Sequence, residues 1–257
     1  MNTTFLFKRT SLISIISISG ILLLISLTSC NEEENETDFP LTGSWDLEGG
    51  FDQYDPHLIN FYNSGYYTVY SKCTGSVNPQ PLEIGRYETS SGQVRFIEHI
   101  QNGCGGFDDD ENPDQVPPNP VSLAFENQGK TAIIADGLRL TKIVNENEPI
   151  VGSWELPGGF DPQNPHIITF NSSGFYAVYT DCSNQTDPKP NENLEIGSYS
   201  YISGELQITS HAQNGCGGFD NPEDPLSHSA QPISITFSED FKTLTLVNDQ
   251  LTLTRIE

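Results

Sequence analysis

The stretch LTGSWDLEGGFDQYDPHLINFYNSGYYTVYSKC, residues 41–73, is written again at residues 150–182 as IVGSWELPGGFDPQNPHIITFNSSGFYAVYTDC. The two align without gaps at an offset of 109, and 18 of 33 positions are identical. Further along, Gln101-Asn102-Gly103-Cys104-Gly105-Gly106-Phe107-Asp108 recurs intact as Gln213 to Asp220, and the tail Leu138 to Ile143 is matched by Leu251 to Ile256. Self-similarity of this kind marks a duplicated structural unit. The units span 41–144 and 150–257, joined by the short polar stretch Val144 to Pro149.

Each unit carries strand-like and no helical periodicity. Leu206 and Ile208 alternate with Gln207 and Thr209, and Ile233, Ile235 and Phe237 with Ser234 and Thr236, the period of half-buried antiparallel strands. Eight strands are expected per copy, in the first near 43–47, 57–62, 66–73, 83–89, 93–100, 121–126, 131–135 and 138–143. The connections Asn63-Ser64-Gly65, Ser90-Ser91-Gly92 and Asn127-Gln128-Gly129 are minimal and end in Gly, as tight turns require. The predicted fold is all-β: two tandem, small, antiparallel up-and-down eight-stranded barrels, closed so that no strand edge is exposed.

A Gly-x-Trp on the first strand (Gly43-Ser44-Trp45, Gly152-Ser153-Trp154) and a cation near the end of the last strand resemble the lipocalin-like barrels. The resemblance implies that each Trp closes one barrel end with the cation on its indole, pairing Trp154 with Arg255 and Trp45 with Lys142. The sequence departs from that family in having Lys in the first copy, no helix after the barrel, and a shorter unit. A large ligand cavity and a barrel filled by its own side chains are both compatible with it.

In an up-and-down barrel the connections alternate between ends, so the long ones, Glu48 to Pro56, Thr74 to Leu82 and Gln101 to Pro120, all fall at one end. Loops on a rigid scaffold commonly carry binding residues, and the candidate contacts there are Phe51, His57, His99 and Phe107, with Phe160, His166, His211 and Phe219 in the second copy. Apart from Cys30 the chain has four cysteines, and an even number in an exported chain favours disulfides. The expected pairs are Cys73–Cys104 and Cys182–Cys216, each pinning the third long loop. His57 and His99 with the cysteines also compose a Cys2His2 zinc set, but the spacing matches no compact zinc motif. No metal ligand and no cofactor is therefore assigned.

Gly-Gly-Phe-Asp occurs four times, at Gly49–Asp52, Gly105–Asp108, Gly158–Asp161 and Gly217–Asp220. Paired glycines permit positive φ, Phe can plug the barrel mouth, and Asp can accept loop amides. Neighbouring acids, Asp55, Asp109, Asp110, Glu111 and Asp114, then Glu223 and Asp224, offer oxygen ligands of the kind calcium takes, without an ordered calcium-loop spacing.

The N-terminus reads as an address. Lys8 and Arg9 precede an apolar run from Leu12 to Leu27, the form of a secretion signal, although the run also approaches the length of a membrane anchor. Leu27-Thr28-Ser29-Cys30 resembles the lipobox of bacterial lipoproteins. That resemblance implies cleavage of residues 1–29 and attachment of diacylglycerol and a further acyl chain, such as palmitate, at Cys30. Residues 30–40 form an acidic tether (Asn31-Glu32-Glu33-Glu34-Asn35-Glu36) resembling the export tag of Bacteroidota surface lipoproteins, though a plain solvated spacer has the same composition. Localisation is expected to be the outer membrane, lipid-anchored, at the cell surface or otherwise facing the periplasm.

The full chain carries 35 acidic and 11 basic residues, net −24. Removing Lys8 and Arg9 with the signal takes it to −26, which repels phosphate backbones and excludes nucleic acid as a partner. No Gly-x-Ser-x-Gly, His-Glu-x-x-His or phosphate-cradling Gly loop is present, so no enzyme is expected. The leading expectation is a lipid-anchored envelope binding protein holding a small molecule or peptide at the loop-rich rim. The alternative is a structural or adhesive surface lipoprotein with calcium or a basic partner on its acidic loops.

Overall fold

Strands whose apolar residues all point one way must hide both that face and their edges, and an eight-stranded sheet does so by closing on itself. In the computed structural model this happens twice. The structure describes residues 40–47, 57–71, 81–103, 105–108, 114–135, 137–145, 147–181, 193–215, 218–221, 224–228, 231–248 and 250–257. Residues 1–39, with the signal, Cys30 and most of the tether, lie outside them, as do Phe51 and the four other cysteines.

Barrel 1 runs β1 (Gly43–Leu47), β2 (His57–Phe61), β3 (Tyr66–Ser71), β4 (Leu82–Ser90), β5 (Gln93–Gln101), β6 (Val121–Glu126), β7 (Thr131–Ile134) and β8 (Leu138–Lys142), each paired to the next and β8 back to β1. Barrel 2 runs β9 (Gly152–Glu155), β10 (His166–Phe170), β11 (Phe175–Thr180), β12 (Leu194–Ile202) and β13 (Glu205–Gln213), then β16 (Ile233–Phe237), β17 (Thr243–Leu246) and β18 (Leu251–Arg255), which closes on β9. All pairings are antiparallel. Between β13 and β16, the third long loop of the second copy holds a small hairpin, β14 (Asp220–Asn221) with β15 (Asp224–His228). The sequence reading placed no strand there. Asn221-Pro222 stands where the first copy has Asp109-Asp110, exchanging a pair of like charges for turn-forming residues.

The meander fixes the two ends of each barrel. Gly65 (φ +79°) and Gly174 (φ +84°) take the left-handed backbone that the short turns need, and the long connections share the opposite end. Near the short-turn end the expected cation–indole pairs are present. Lys142 Nζ lies 5.3 Å from the centre of the Trp45 ring, and the Arg255 guanidinium 4.3 Å from that of Trp154. Each cation stands directly opposite its Trp in the closing strand pair. The indole N–H groups donate to Leu41 O (2.7 Å) and Ile150 O (2.9 Å). Arg255 additionally donates to Val151 O at 2.9 Å and to Pro149 O, so it ties the linker to the end of barrel 2.

β2, β3 and β4 lack the alternation of a half-buried sheet because both of their faces are covered. Leu58, Tyr62, Tyr70, Leu82 and Ile84 point out of barrel 1 into the apolar cluster of barrel 2. Tyr62 stacks on Phe160 (4.3 Å between ring centres), and Tyr70 shares a hydrogen bond with Thr169. The contact is partly reciprocal. Asp46 on β1 accepts from Asn171 Nδ2 (3.3 Å) in the β10–β11 turn. Glu155, at the matching place on β9, lies in the field of Tyr62 in the β2–β3 turn. Glu155 is 9 % exposed, and its Oε2 has no hydrogen-bond partner among the described residues.

Burial pushes the Glu155 carboxyl up to about 7 from its ordinary 4.5. The folded chain therefore holds that proton more tightly than the unfolded one. Its contribution is greatest below pH 4.5 and is lost as pH climbs through about 7. Glu155→Gln is expected to remove this decline and to be more stable than the parent at pH 8 by on the order of 2 kcal/mol. Urea unfolding at pH 5 and pH 8 tests it, and an unchanged pH slope in the variant would refute it.

Candidate functional site

The loop-rich end of barrel 1 is closed from inside. β4 carries Leu82-Glu83-Ile84-Gly85; Leu82 and Ile84 face barrel 2, which turns Glu83 inward, where it is fully buried. A carboxylate there requires hydrogen-bond donors. Tyr67 O–H donates to Glu83 Oε1 at 2.8 Å, and the backbone N–H of Phe107 donates to the same oxygen at 3.1 Å. His99, on β5, places Nε2 at 3.5 Å from Glu83 Oε1 and 3.8 Å from Asp108 Oδ1, both long for a hydrogen bond. Burial pushes the Glu83 and Asp108 carboxyls upward, while nearby His99 pulls both back down.

Glycines make the arrangement possible. A Cβ on Gly106 would stand 1.5 Å from Glu83 Oε2, and one on Gly85 would stand 2.4 Å from the Tyr67 ring. β5 is also bulged against β4, with Ile100 and Ile97 as the extra residues on either side of the Gly85–His99 and Arg86–Glu98 pairs. Phe107 follows Gly106 into the mouth, stacking on Phe96 (4.0 Å) and packing against Tyr67 (5.5 Å) and Phe61 (6.1 Å). The third-loop Gly-Gly-Phe-Asp is thus a plug whose amide caps the buried carboxylate.

Barrel 2 repeats the device. Tyr176 O–H donates to Glu195 Oε1 at 2.8 Å and Phe219 N–H at 2.9 Å, with His211 Nε2 at 3.6 Å. Phe219 is buried against Phe170 and Tyr176. A Cβ on Gly218 would fall 1.9 Å from Glu195 Oε2.

The residues singled out from the sequence divide into three settings. His99, Phe107, His211 and Phe219 belong to the barrel interiors. His57 stays at the rim, where Nε2–H donates to Gly105 O (2.9 Å), and His166 Nδ1 lies 2.7 Å from Thr180 Oγ1 with its basicity lowered by burial. Phe160 sits between the barrels against Tyr62 and Tyr66. His57 and His99 therefore do not converge on a common centre. Phe51, Cys73, Cys104, Cys182 and Cys216 fall outside the described residues. Glu83, Glu195, Tyr67 and Tyr176 went unnoticed in the sequence, although Leu-Glu-Ile-Gly at 82–85 and 194–197 is identical in both copies. A charged residue kept twice inside an apolar strand was the available signal.

A cleft of about 270 Å³ opens between the barrels, lined by Asp46, Lys142, Val151, Asn171 and Ser173 among others. Comparison with protein families, with curated proteins and with solved structures finds no match to this chain.

The overlap between a Gly106 side chain and Glu83 yields a direct test. Gly106→Ala is expected to destabilise the chain by about 3 kcal/mol. Adding Glu83→Ala should recover part of that loss, because the two sites share one space. Equilibrium unfolding of both single variants and the double variant measures the coupling, and strict additivity would show that the clash is relieved elsewhere.

Proposed function

We propose that this protein is a lipid-anchored, adhesive or scaffolding component of the cell surface that engages a basic partner through the acidic connections at the loop-rich ends of its two barrels. The observation that carries this reading is the occupied mouth: Phe107 and Phe219 already fill the place where a ligand would enter, above the buried Glu83 and Glu195. What the first barrel offers a partner at that end is charge. Its connections carry Glu48, Asp52, Asp55, Asp109, Asp110 and Glu111 against one base, Lys72. The bases of the described walls are largely spent on ion pairs, Arg86 with Glu98, Arg95 with Glu88 and Arg139 with Glu126. An uncompensated acidic rim steers a cationic surface toward it.

The lipobox at Cys30 and the acidic run after it support anchoring of the chain by acyl chains at the outer membrane, with the tether holding the barrels away from the bilayer. Two disulfides, Cys73–Cys104 and Cys182–Cys216, fit the same exported setting. In barrel 1 the flanks of the cysteines are close neighbours, since a Cβ on Gly105 would lie 3.0 Å from Ser71 Oγ. A small molecule or peptide lying across the rim is the second reading. It rests on His57, which remains outside the plugged interior.

Two measurements test these proposals. The intact mass of membrane-extracted protein, alkylated without reduction, should show the acyl mass on Cys30 and no alkylated cysteine; an unprocessed N-terminus or free thiols would refute anchoring or bridging respectively. An oligolysine peptide on a biosensor should bind the mature chain with an affinity that falls steeply with salt. The triple change Asp109→Asn, Asp110→Asn, Glu111→Gln should weaken it severalfold, and Glu239→Gln with Asp240→Asn, in a short turn of barrel 2, should not. Equal loss from both sets would mean that net charge alone drives binding.

A further inference from the structure

Glu83, His99 and Asp108 come from three separate places, β4, β5 and the third long loop, yet one donor atom of each lies within 4.8 Å of the other two. The His99 side chain is 6 % exposed, its Nε2 sits between the two carboxylates, and neither ring nitrogen makes a hydrogen bond among the described residues. A buried imidazole left in that condition is destabilising unless something else completes its bonding. The second carboxylate oxygen of Glu83 and Oδ1 of Asp108 are likewise buried without a hydrogen bond. One donor atom of each of the three residues thus faces the other two.

We infer that barrel 1 holds a divalent first-row metal ion of the zinc class between Glu83, His99 and Asp108. Spacing is the first reason. Bonds of about 2.0–2.2 Å at a tetrahedral angle place neighbouring ligand atoms roughly 3.3–3.6 Å apart, and His99 Nε2 already stands 3.5 and 3.8 Å from the two oxygens. Donor chemistry is the second. One imidazole with two carboxylates suits zinc and its neighbours, whereas calcium takes six to eight oxygens and magnesium an octahedron of them. Support for the ligands is the third: Tyr67 O–H and Phe107 N–H hold the Glu83 carboxylate in place, as outer partners of metal ligands do. Asp108, 29 % exposed, leaves a way in from solvent.

The duplication adds an argument of its own. The second copy has replaced Asp109 and Asp110 by Asn221 and Pro222, yet it keeps Glu195, His211 and, in the place of Asp108, Asp220. His211 again faces the glutamate at 3.6 Å. The ion would clip the Gly-Gly-Phe-Asp loop to the barrel wall, a structural task that is independent of whether a basic partner binds the rim.

The test uses the whole chain without a polyhistidine tag, stripped with chelator and titrated with Zn²⁺ by calorimetry and with Co²⁺ by visible absorption. Zinc should bind and raise the melting temperature, and cobalt should give the absorption of a low-coordinate site. His99→Ala and Asp108→Asn should each lose one metal equivalent relative to the parent, while His57→Ala should lose none. Asp108 is partly exposed and is not hydrogen-bonded into the core, so Asp108→Asn keeps the test valid should His99→Ala fold poorly. Failure of the parent to bind either ion, or full retention of the equivalent in folded Asp108→Asn, would overturn the inference. Loss in His57→Ala would instead place the metal on the rim.

Discussion

A carboxylate in the middle of an apolar barrel governs much of its surroundings. Glu83 and Glu195 are each fully buried, and a charge so placed is costly unless hydrogen bonds replace its lost water. The tyrosine hydroxyl supplies one donor from the next strand, and the amide of the loop phenylalanine supplies another. Satisfying the second donor drags the third long loop down into the mouth. The loop can come that close only because Gly106 and Gly218 have no side chain, and the phenylalanine beyond each glycine then fills the remaining space. One polar requirement therefore determines where the loop goes and which side chain occupies the barrel mouth.

Much of the architecture was legible because barrels write themselves in period two. The solvent-facing strands, such as β5 with Val94 and Phe96 inward and Gln93 and Arg95 outward, alternate cleanly, and the Gly-ended turns mark where they reverse. β2, β3 and β4 were harder: their outward faces press on the other barrel, so Leu58, Tyr70 and Leu82 are as buried as the residues pointing inward. Alternation was absent there because the second face is also dry. The hairpin β14–β15 was hidden for another reason, since a two-residue strand inside a long polar loop leaves no periodic trace.

The interior site was less legible than the fold. His99 and His211 were noticed as repeated histidines, and Phe107 as a plug, but strand parity placed the imidazoles on the rim with His57 and His166. The alternation of connections assigns a residue to an end, not to a face, and the extra residues Ile97 and Ile100 on β5 and Thr209 and Ala212 on β13 shift the facing of the imidazoles next to them. Glu83 escaped because a lone acid between Leu82 and Ile84 looks like the polar half of a half-buried strand. Its neighbours point at barrel 2 rather than at the core, and only the packing of two barrels reveals that.

The missing side chain at Gly106 also constrains how this sequence can drift. With the glutamate in place, no residue carrying a Cβ fits beneath it, whereas a shorter residue at 83 would open that space and free the loop. Change along a lineage must then run in one direction, the acid receding first and the glycine only afterwards. The same ordering holds separately for Glu195 and Gly218, so the two halves of the gene are free to leave this arrangement at different times.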